Sequence, residues 1–288
     1  MAKRVIVKIP ISTYPIYNNP IVVTGDALIL PDLEAPFHDA EFVNRALSLA
    51  GHWGIDNLIL AGDAMHWQSL SGWGSEWKSS GQDNDQILKF MQGLDKENSE
   101  KGIWLLEQAG ILLNDESVSG ELASVRLVMR EFSRQFKSIT WVLGNHEDRL
   151  LRKLEAALAP SDLLRLLTVG DRWKSAPYYH CLLSSGGQTF RITHPRSAGN
   201  KTAFQIASRE QQNVIMGHSH KWIVEHDVTG KLWAIQSGHC VDESRLAYVS
   251  QRDRGGYDPH CKGAVIVRDG YPFVLSSDFP FLAMQKRG

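Results

Sequence analysis

The chain has 288 residues, of which 43% are hydrophobic, so it is long enough to bury one large α/β core or two small ones. Its 31 basic and 32 acidic residues give a net charge of −1, which excludes recruitment of nucleic acid or an anionic membrane by the overall field of the protein. Three cysteines without CxxC or CxxxC spacing favour a reducing compartment over a structural zinc knuckle. No signal peptide or transmembrane span is recognisable, and we expect a soluble, cytoplasmic protein without a membrane partner.

The first predicted elements form a β-α-β unit. Two apolar strands, at about 27–30 and 57–61, flank a helix from about Ala40 to Trp53 that Asp39 can cap. Strands joined in this way are parallel. The Pro-, Tyr- and Asn-rich segment from Ser12 to Pro20 is predicted to be an extended arm.

Residues 67 to 138 are predicted to form a helical insertion between two strands. A Trp-, Ser- and Gly-rich loop comes first, and helices follow at Asn84 to Ala109 and Gly120 to Phe136. Their apolar faces favour packing on the core over an exposed interface, because most amphipathic helices simply cover a sheet.

Strands and helices alternate in the rest of the chain. The predicted elements are a strand at 139–143, helices from Asn145 to about Leu158 and from Ser161 to Leu167, a hairpin at 178–193, a helix from Lys201 to Gln211, a strand at 213–216, and four strands near 222–228, 231–236, 262–268 and 271–275. The last four strands resemble a second, mixed or antiparallel sheet.

Five predicted strands end in residue types that bind metals. These residues are Asp32 and Glu34, Asp63, Asn145 and His146, His194, and His218 and His220. One Asp after a strand usually caps a turn or a helix, but five such strand ends are costly to keep unless something binds them. We therefore expect five strands to converge on one sheet edge.

In order and spacing, these residues resemble the calcineurin-like metallophosphoesterase superfamily, whose pattern is DxH, GDxx(D/H), GNH(D/E), H and GHxH. The matching segments are Asp32-x-Glu34, Gly62-Asp63-x-x-His66, Gly144-Asn145-His146-Glu147, His194 and Gly217-His218-x-His220. The Pro-Phe-His-Asp segment after the first motif and the Asn-His-Glu-Asp-Arg run look most like phage and bacterial members. The resemblance covers about residues 26–240 and implies a two-sheet β-sandwich flanked by helices in four layers. Length and periodicity predict one α/β domain over residues 1–288, with a helical hairpin inserted at about 67–138.

The resemblance also implies a site for two divalent metal ions. Asp63 would bridge the ions; Asp32, Glu34 and His220 would bind one, and Asn145, His194 and His218 the other. Nitrogen and oxygen donors without a thiolate favour Mn²⁺, with Fe and Zn²⁺ as alternatives, over a soft metal or Ca²⁺.

Glu34 stands where the family usually has histidine. Residues i and i+2 at a strand end face the same side, so Glu34 is predicted to reach the metal that Asp32 binds. Alternatively, Glu34 supports the ligands without contacting the metal, or His38 from the following turn binds the metal in its place. A carboxylate ligand here would make the site one unit less positive than usual.

Three further residues are candidates for catalysis. By resemblance, His146 lies above the metals and protonates the leaving oxygen or stabilises the transition state. His66 is similar to the second histidine of the double-strand-break repair nucleases, which assists the first; the alternative is a packed turn histidine. Asp148 is predicted to orient His146.

The predicted reaction is hydrolysis of a phosphodiester by a hydroxide that bridges the two metals, with His146 assisting the leaving group. Nucleotide derivatives and nucleic acids are the first candidates for this phosphodiester substrate. Phosphomonoesters, including phosphoproteins, are the alternative, and a non-catalytic scaffold of the same fold is the alternative from another class. The sequence leaves the oligomeric state open, including a homo-oligomer.

Overall fold

A computed structural model of the chain describes residues 20–66, 118–153, 164, 165, 167, 168, 170–176, 179–246 and 260–285. The predicted arm before Pro20, the loop and first helix of the insertion, and most of the short helix at 161–167 lie outside these residues. Within them the chain is α/β, with two mixed sheets of six strands each and five α-helices.

The strands in chain order are β1 Val22–Thr24, β2 Ala27–Leu30, β3 Asn57–Ala61, β4 Ser138–Val142, β5 Trp173–Ala176, β6 His180–Ser185, β7 Gln188–Thr193, β8 Asn213–Met216, β9 Trp222–His226, β10 Trp233–Ser237, β11 Gly263–Arg268 and β12 Tyr271–Ser276. The helices are α1 Ala40–His52, α2 Val118–Gln135, α3 Asn145–Lys153, α4 Thr202–Glu210 and α5 Phe281–Gln285, and a 3-10 turn spans Glu243–Arg245.

The first sheet has the strand order β12-β11-β2-β3-β4-β5. Strands β2 to β5 run parallel, and β11 and β12 add an antiparallel edge. The register places Leu30 beside Leu60 and Leu60 beside Trp141. The carboxyl ends of β2, β3 and β4 are therefore level, which brings the turns that follow them together.

The second sheet has the order β1-β6-β7-β8-β10-β9. Its predicted hairpin, β6 and β7, is confirmed with Gly186 and Gly187 in the turn. The prediction that the last four strands form a sheet of their own is wrong. Strand β10 pairs in parallel with β8, and β11 pairs antiparallel with β2, so these strands complete both sheets.

The two sheets share one apolar core and carry helices on their outer faces. Ile29, Ile59 and Val265 of the first sheet lie in one buried cluster with Phe190 and Ile215 of the second. Helices α1, α2 and α5 cover the outer face of the first sheet, and α4 covers that of the second. Since both faces of the central strands are covered, their sequences are continuous apolar runs.

The helices follow from local signals in the sequence. Asp39 accepts a hydrogen bond from the Phe42 amide at 3.0 Å and so caps α1, as predicted. On α2, Leu122, Val125 and Phe132 are buried in the core at helical spacing, which confirms core packing for this part of the insertion. None of the described helices is long and apolar enough to cross a membrane.

Candidate functional site

The turns that carry the predicted metal ligands come from both sheets. Three of them follow β2, β3 and β4, and two follow β7 and β8. The expectation that five strands converge on one sheet edge is therefore wrong, because the strands belong to two sheets whose edges face each other. A strand's own sequence does not reveal its partners, so this division could not be read from the motifs.

One group of donor atoms surrounds the side chain of His194. Its Nε2 atom lies 3.2 Å from Asp63 Oδ2, 3.1 Å from Asn145 Oδ1 and 3.2 Å from His218 Nδ1. Donors that each stand 2.0–2.2 Å from a shared ion are about 3.0–3.5 Å apart, so these four atoms have the spacing of a metal site. His194 Nδ1 lies 2.9 Å from the Ala61 carbonyl, to which it can donate, leaving Nε2 as a ligand atom.

A second group surrounds His220. Its Nε2 atom is 3.2 Å from Asp32 Oδ1 and 3.3 Å from Glu34 Oε1. The Asp32 carboxylate is fixed from behind by the His218 amide, which lies 3.0 and 2.9 Å from its two oxygens. The structure thus brings the seven predicted ligands together in the two groups that the motifs indicated, with Asp63 in the group around His194.

Asp63 is fixed by the start of α3. Its Oδ1 atom accepts a hydrogen bond of 2.8 Å from the His146 amide, while Oδ2 faces His194. A Cβ atom on Gly144 would lie 2.1 Å from Asp63 Oδ1, so only glycine lets α3 begin this close to the carboxylate. A Cβ on Gly62 would lie 2.2 Å from the His194 ring. Both glycines of the motifs are explained by close approach.

Five of the predicted ligands have left-handed backbone conformations. They are Asp32 at φ 41°, Glu34 at 43°, Asp63 at 46°, His218 at 77° and His220 at 55°. Such conformations cost about 1–3 kcal/mol each and persist where the surroundings enforce them, commonly at ligand sites. Their concentration at this point is a reason, independent of the motifs, to regard it as functional.

Glu147 joins these turns, although no role was predicted for it. Its Oε2 atom accepts from the amides of Asp63 at 3.1 Å and Gly144 at 2.6 Å, and Oε1 accepts from the Met65 amide at 3.2 Å. The sequence does indicate the contact with Gly144, because a glutamate at the third position of a helix can accept a hydrogen bond from the amide of the residue before the helix. Burial and the Asp63 carboxylate raise the pKa of Glu147 to about 8.

The histidines differ in charge when no metal is bound. Burial opposes protonation of His194 and His220, but Asp63 raises the pKa of His194 to about 9, and Asp32 and Glu34 raise that of His220 to about 10. Burial and the nearby His194 lower the pKa of His218. Two imidazolium groups therefore balance carboxylates in the metal-free protein.

His146 lies beside Asp63, with its Nε2 atom 3.7 Å from Asp63 Oδ2. The residue is 9% exposed, and within the described residues its Nδ1 atom has no hydrogen-bond partner. The predicted orientation of His146 by Asp148 is not formed, because Asp148 pairs with Arg152 at 3.2 Å and with the Tyr179 hydroxyl. Residues i and i+2 of a helix do not face each other.

His66 approaches the site from the turn after β3. Its Nδ1 atom contacts Glu34 Oε2, and its ring packs edge-on against Phe37 at 5.0 Å and His146 at 5.3 Å between centroids. The donor atoms of Glu34, His66 and His146 lie within 4.8 Å of one another. His66 is thus both packed and in contact with two site residues.

A cluster beside His220 was not predicted. The ring centroids of His239 and His260 lie 5.0 and 4.7 Å from that of His220. Glu243 Oε1 is 2.7 Å from His260 Nδ1 and 3.5 Å from His239 Nε2. His239, Glu243 and His260 all lie in the connection between β10 and β11, and only the position of His239 directly after a strand could have indicated this cluster.

The residues present fit a pair of divalent cations. Two groups of nitrogen and oxygen donors, around His194 and His220, have suitable spacing, and among the described residues the buried Nδ1 atom of His146 beside them has no hydrogen-bond partner. No protein-family model matches the sequence, and no curated protein matches it.

Proposed function

We propose that the protein is a metal-dependent phosphoesterase of the calcineurin-like metallophosphoesterase type that hydrolyses phosphodiesters. The observation that carries the proposal is the pairing of two donor groups, one around His194 and one around His220, with His146 beside Asp63. A metal store or sensor would have no need of the imidazole of His146. On this proposal the two-sheet sandwich is the metallophosphoesterase fold, in one domain with an inserted helical segment.

Each donor group would hold one ion, Mn²⁺ first and Fe or Zn²⁺ as alternatives. Asn145, His194 and His218 would hold one ion, Asp32, Glu34 and His220 the other, and Asp63 would be shared. Bound cations would generate a strong nucleophile from water and neutralise charge on the phosphate oxygens. His194 and His220 must lose their protons to serve as ligands.

His146 would supply the proton for the leaving oxygen. Its ring is buried at the edge of the site, and its backbone is fixed by the hydrogen bond to Asp63. Because the amide and not the imidazole makes that bond, the side chain stays available for proton transfer.

The charge of the donor groups favours a diester over a monoester. Asp32, Glu34 and Asp63 are all 0–2% exposed and bring three carboxylates to the site. Against two dications this leaves a formal charge of about +1, one unit less than with histidine at position 34. The lower positive charge reduces the electrostatic attraction more for a monoester, which carries nearly two negative charges, than for a singly charged diester. Nucleotides and nucleic acids supply such diesters.

The test is hydrolysis of matched aromatic mono- and diesters by protein that has been freed of metal and reconstituted with Mn²⁺, Fe²⁺ or Zn²⁺. We expect about two ions per chain, activity only with metal, and a higher kcat/KM for the diester. Two bound ions without hydrolysis of either ester would indicate a binding scaffold. Absence of bound ions would reject the proposal, and a preference for the monoester would reassign the substrate.

A further inference from the structure

We infer that His66 is a positioning residue that holds one oxygen of Glu34, so that the carboxylate presents only its other oxygen to a metal ion. The inference rests on the proposed function and specifies how a glutamate works at a position where the resembled family usually has histidine. It gives His66 a role different from assisting His146.

The backbone brings the two residues together. The turns after β2 and β3 run side by side: the Glu34 amide donates to the Asp63 carbonyl at 2.8 Å, and the Ala35 amide donates to the Ala64 carbonyl at 2.9 Å. The His66 amide in turn donates to the Ala35 carbonyl at 3.1 Å. These bonds do not involve the side chains, so they place His66 next to Glu34 whatever residues stand there.

The two oxygens of Glu34 face different partners. Oε2 accepts a hydrogen bond from His66 Nδ1, whereas Oε1 lies 3.3 Å from His220 Nε2, in the donor group with Asp32. Glu34 is 1% exposed and His66 is 2% exposed, so water cannot easily replace either contact. A carboxylate that is held by one oxygen can offer only the other as a ligand.

The surroundings keep this arrangement in place. Phe37 and His146 both make T-shaped contacts with the His66 ring, which limits its rotation.

His66 could instead be a ligand itself, since its donor atoms lie near those of Glu34 and His146. The direct hydrogen bond argues against Nδ1 as the ligand atom, because a nitrogen that donates a proton to Glu34 has no lone pair for an ion. Asparagine tests the remaining atom, Nε2. Its side-chain amide nitrogen can occupy the place of imidazole Nδ1 and donate to Glu34, whereas asparagine has no atom at the place of Nε2, and its amide oxygen, which can bind cations, then points away from Glu34.

The experiment measures the dissociation constants of both Mn²⁺ ions by competition with a chelator, in the full chain. Loss of a contact behind a ligand typically weakens metal binding 10- to 100-fold. We expect His66→Leu to weaken the binding of the ion at Glu34 and His220 by about that factor. The affinity for the ion at His194 should stay within about threefold of wild type. His66→Asn, which has the same branching as leucine, should restore both affinities to within about threefold of wild type. His226→Leu, on exposed β9, is the control.

A double-mutant cycle tests the route through Glu34. In a Glu34→His background, His66→Leu should have no further effect on either ion, because the oxygen that His66 holds is gone. If His66→Leu does not fold, His66→Phe keeps the ring and lacks the donor. Unchanged Mn²⁺ affinity in His66→Leu, failure of asparagine to rescue it, or persistence of the effect in the Glu34→His background would each overturn the inference. A wild-type chain that binds no Mn²⁺ would overturn the proposed function itself.

Discussion

The backbone amide of His146 donates a hydrogen bond to Oδ1 of Asp63 at 2.8 Å, across 83 residues of sequence. The proposed proton donor and the proposed shared ligand are therefore fixed to each other by the main chain. The side chain of either residue can be changed while the backbone of the other keeps its place, which allows metal binding and proton transfer to be tested separately.

His146→Ala should retain both metals and lose turnover by about 10²- to 10⁴-fold, because the proposed role of its side chain is proton transfer. The loss should be smallest for a nitrophenolate leaving group, which needs no proton. Metal content and kcat for a series of leaving groups provide the measurement. An equal loss for all leaving groups would favour a purely electrostatic role, and loss of metal would make His146 a ligand.

Asp63→Ala should release both ions and abolish activity, because the proposed shared ligand is removed. Asp56→Ala is a matched control, since Asp56 precedes β3 at its opposite end and its side chain pairs with exposed Lys137. Elemental analysis after dialysis distinguishes the two variants. Retention of both ions by Asp63→Ala would show that Asp63 is not shared.

Metal affinity should rise with pH. In the metal-free protein the pKa values of His194 and His220, about 9 and about 10, lie above the usual 6.5. Their protonated forms therefore stabilise the fold fully below pH 6.5, and this stability is lost as the pH rises towards 9–10. Metal binding must displace these protons, so each contributes up to about tenfold in affinity per pH unit.

Calorimetry at pH 7 in buffers of different ionisation enthalpy counts the displaced protons. We expect about one proton per bound ion, and about one fewer for His220→Asn, in which an amide oxygen replaces the imidazole. Metal binding without proton release would mean that these histidines are already neutral or are not ligands.

Glu147→Ala should destabilise the metal-free protein by at least about 2 kcal/mol, because three buried amides lose their acceptor. Its raised pKa, about 8, means that its contribution is complete below the usual 4.5 and declines as the pH rises through 8. The cost of the substitution should therefore be smaller at pH 9 than at pH 6. Urea unfolding at both pH values measures it, with the exposed Glu131→Ala as control. A loss of less than about 0.5 kcal/mol in the free energy of unfolding at both pH values would show that Glu147 does not stabilise these turns.

The sequence predicted those elements whose signals are local. Helix α1 has a cap and a regular apolar face, and β6 and β7 enclose a Gly-Gly turn, so both were placed within a few residues. Strand β5 was missed because Trp173-Lys174-Ser175-Ala176 is too short and too polar to form an apolar run, although Gly170 and Pro177 flank it. It becomes a strand by pairing with β4, which no local pattern encodes.

The sequence predicted which residues supply the donor atoms of the candidate site, but not which residues hold these donors in place. Short motifs after strands identified the residues that the structure brings together around His194 and His220. The contacts of Glu147 with Met65 and of Glu34 with His66 depend on how two turns lie against each other. Such contacts follow from strand register, which becomes known only when the sheet is assembled.

At the five donor positions, the left-handed backbone lowers the stability of the fold, whereas the side chains there are needed for the proposed activity. Glycine adopts such conformations without penalty, so replacing His218 by glycine relieves about 1 kcal/mol of backbone energy while removing a donor atom. Selection for thermal tolerance alone would therefore collect inactive proteins with glycine at position 218. Only selection that also demands turnover would keep the carboxylates and imidazoles in place.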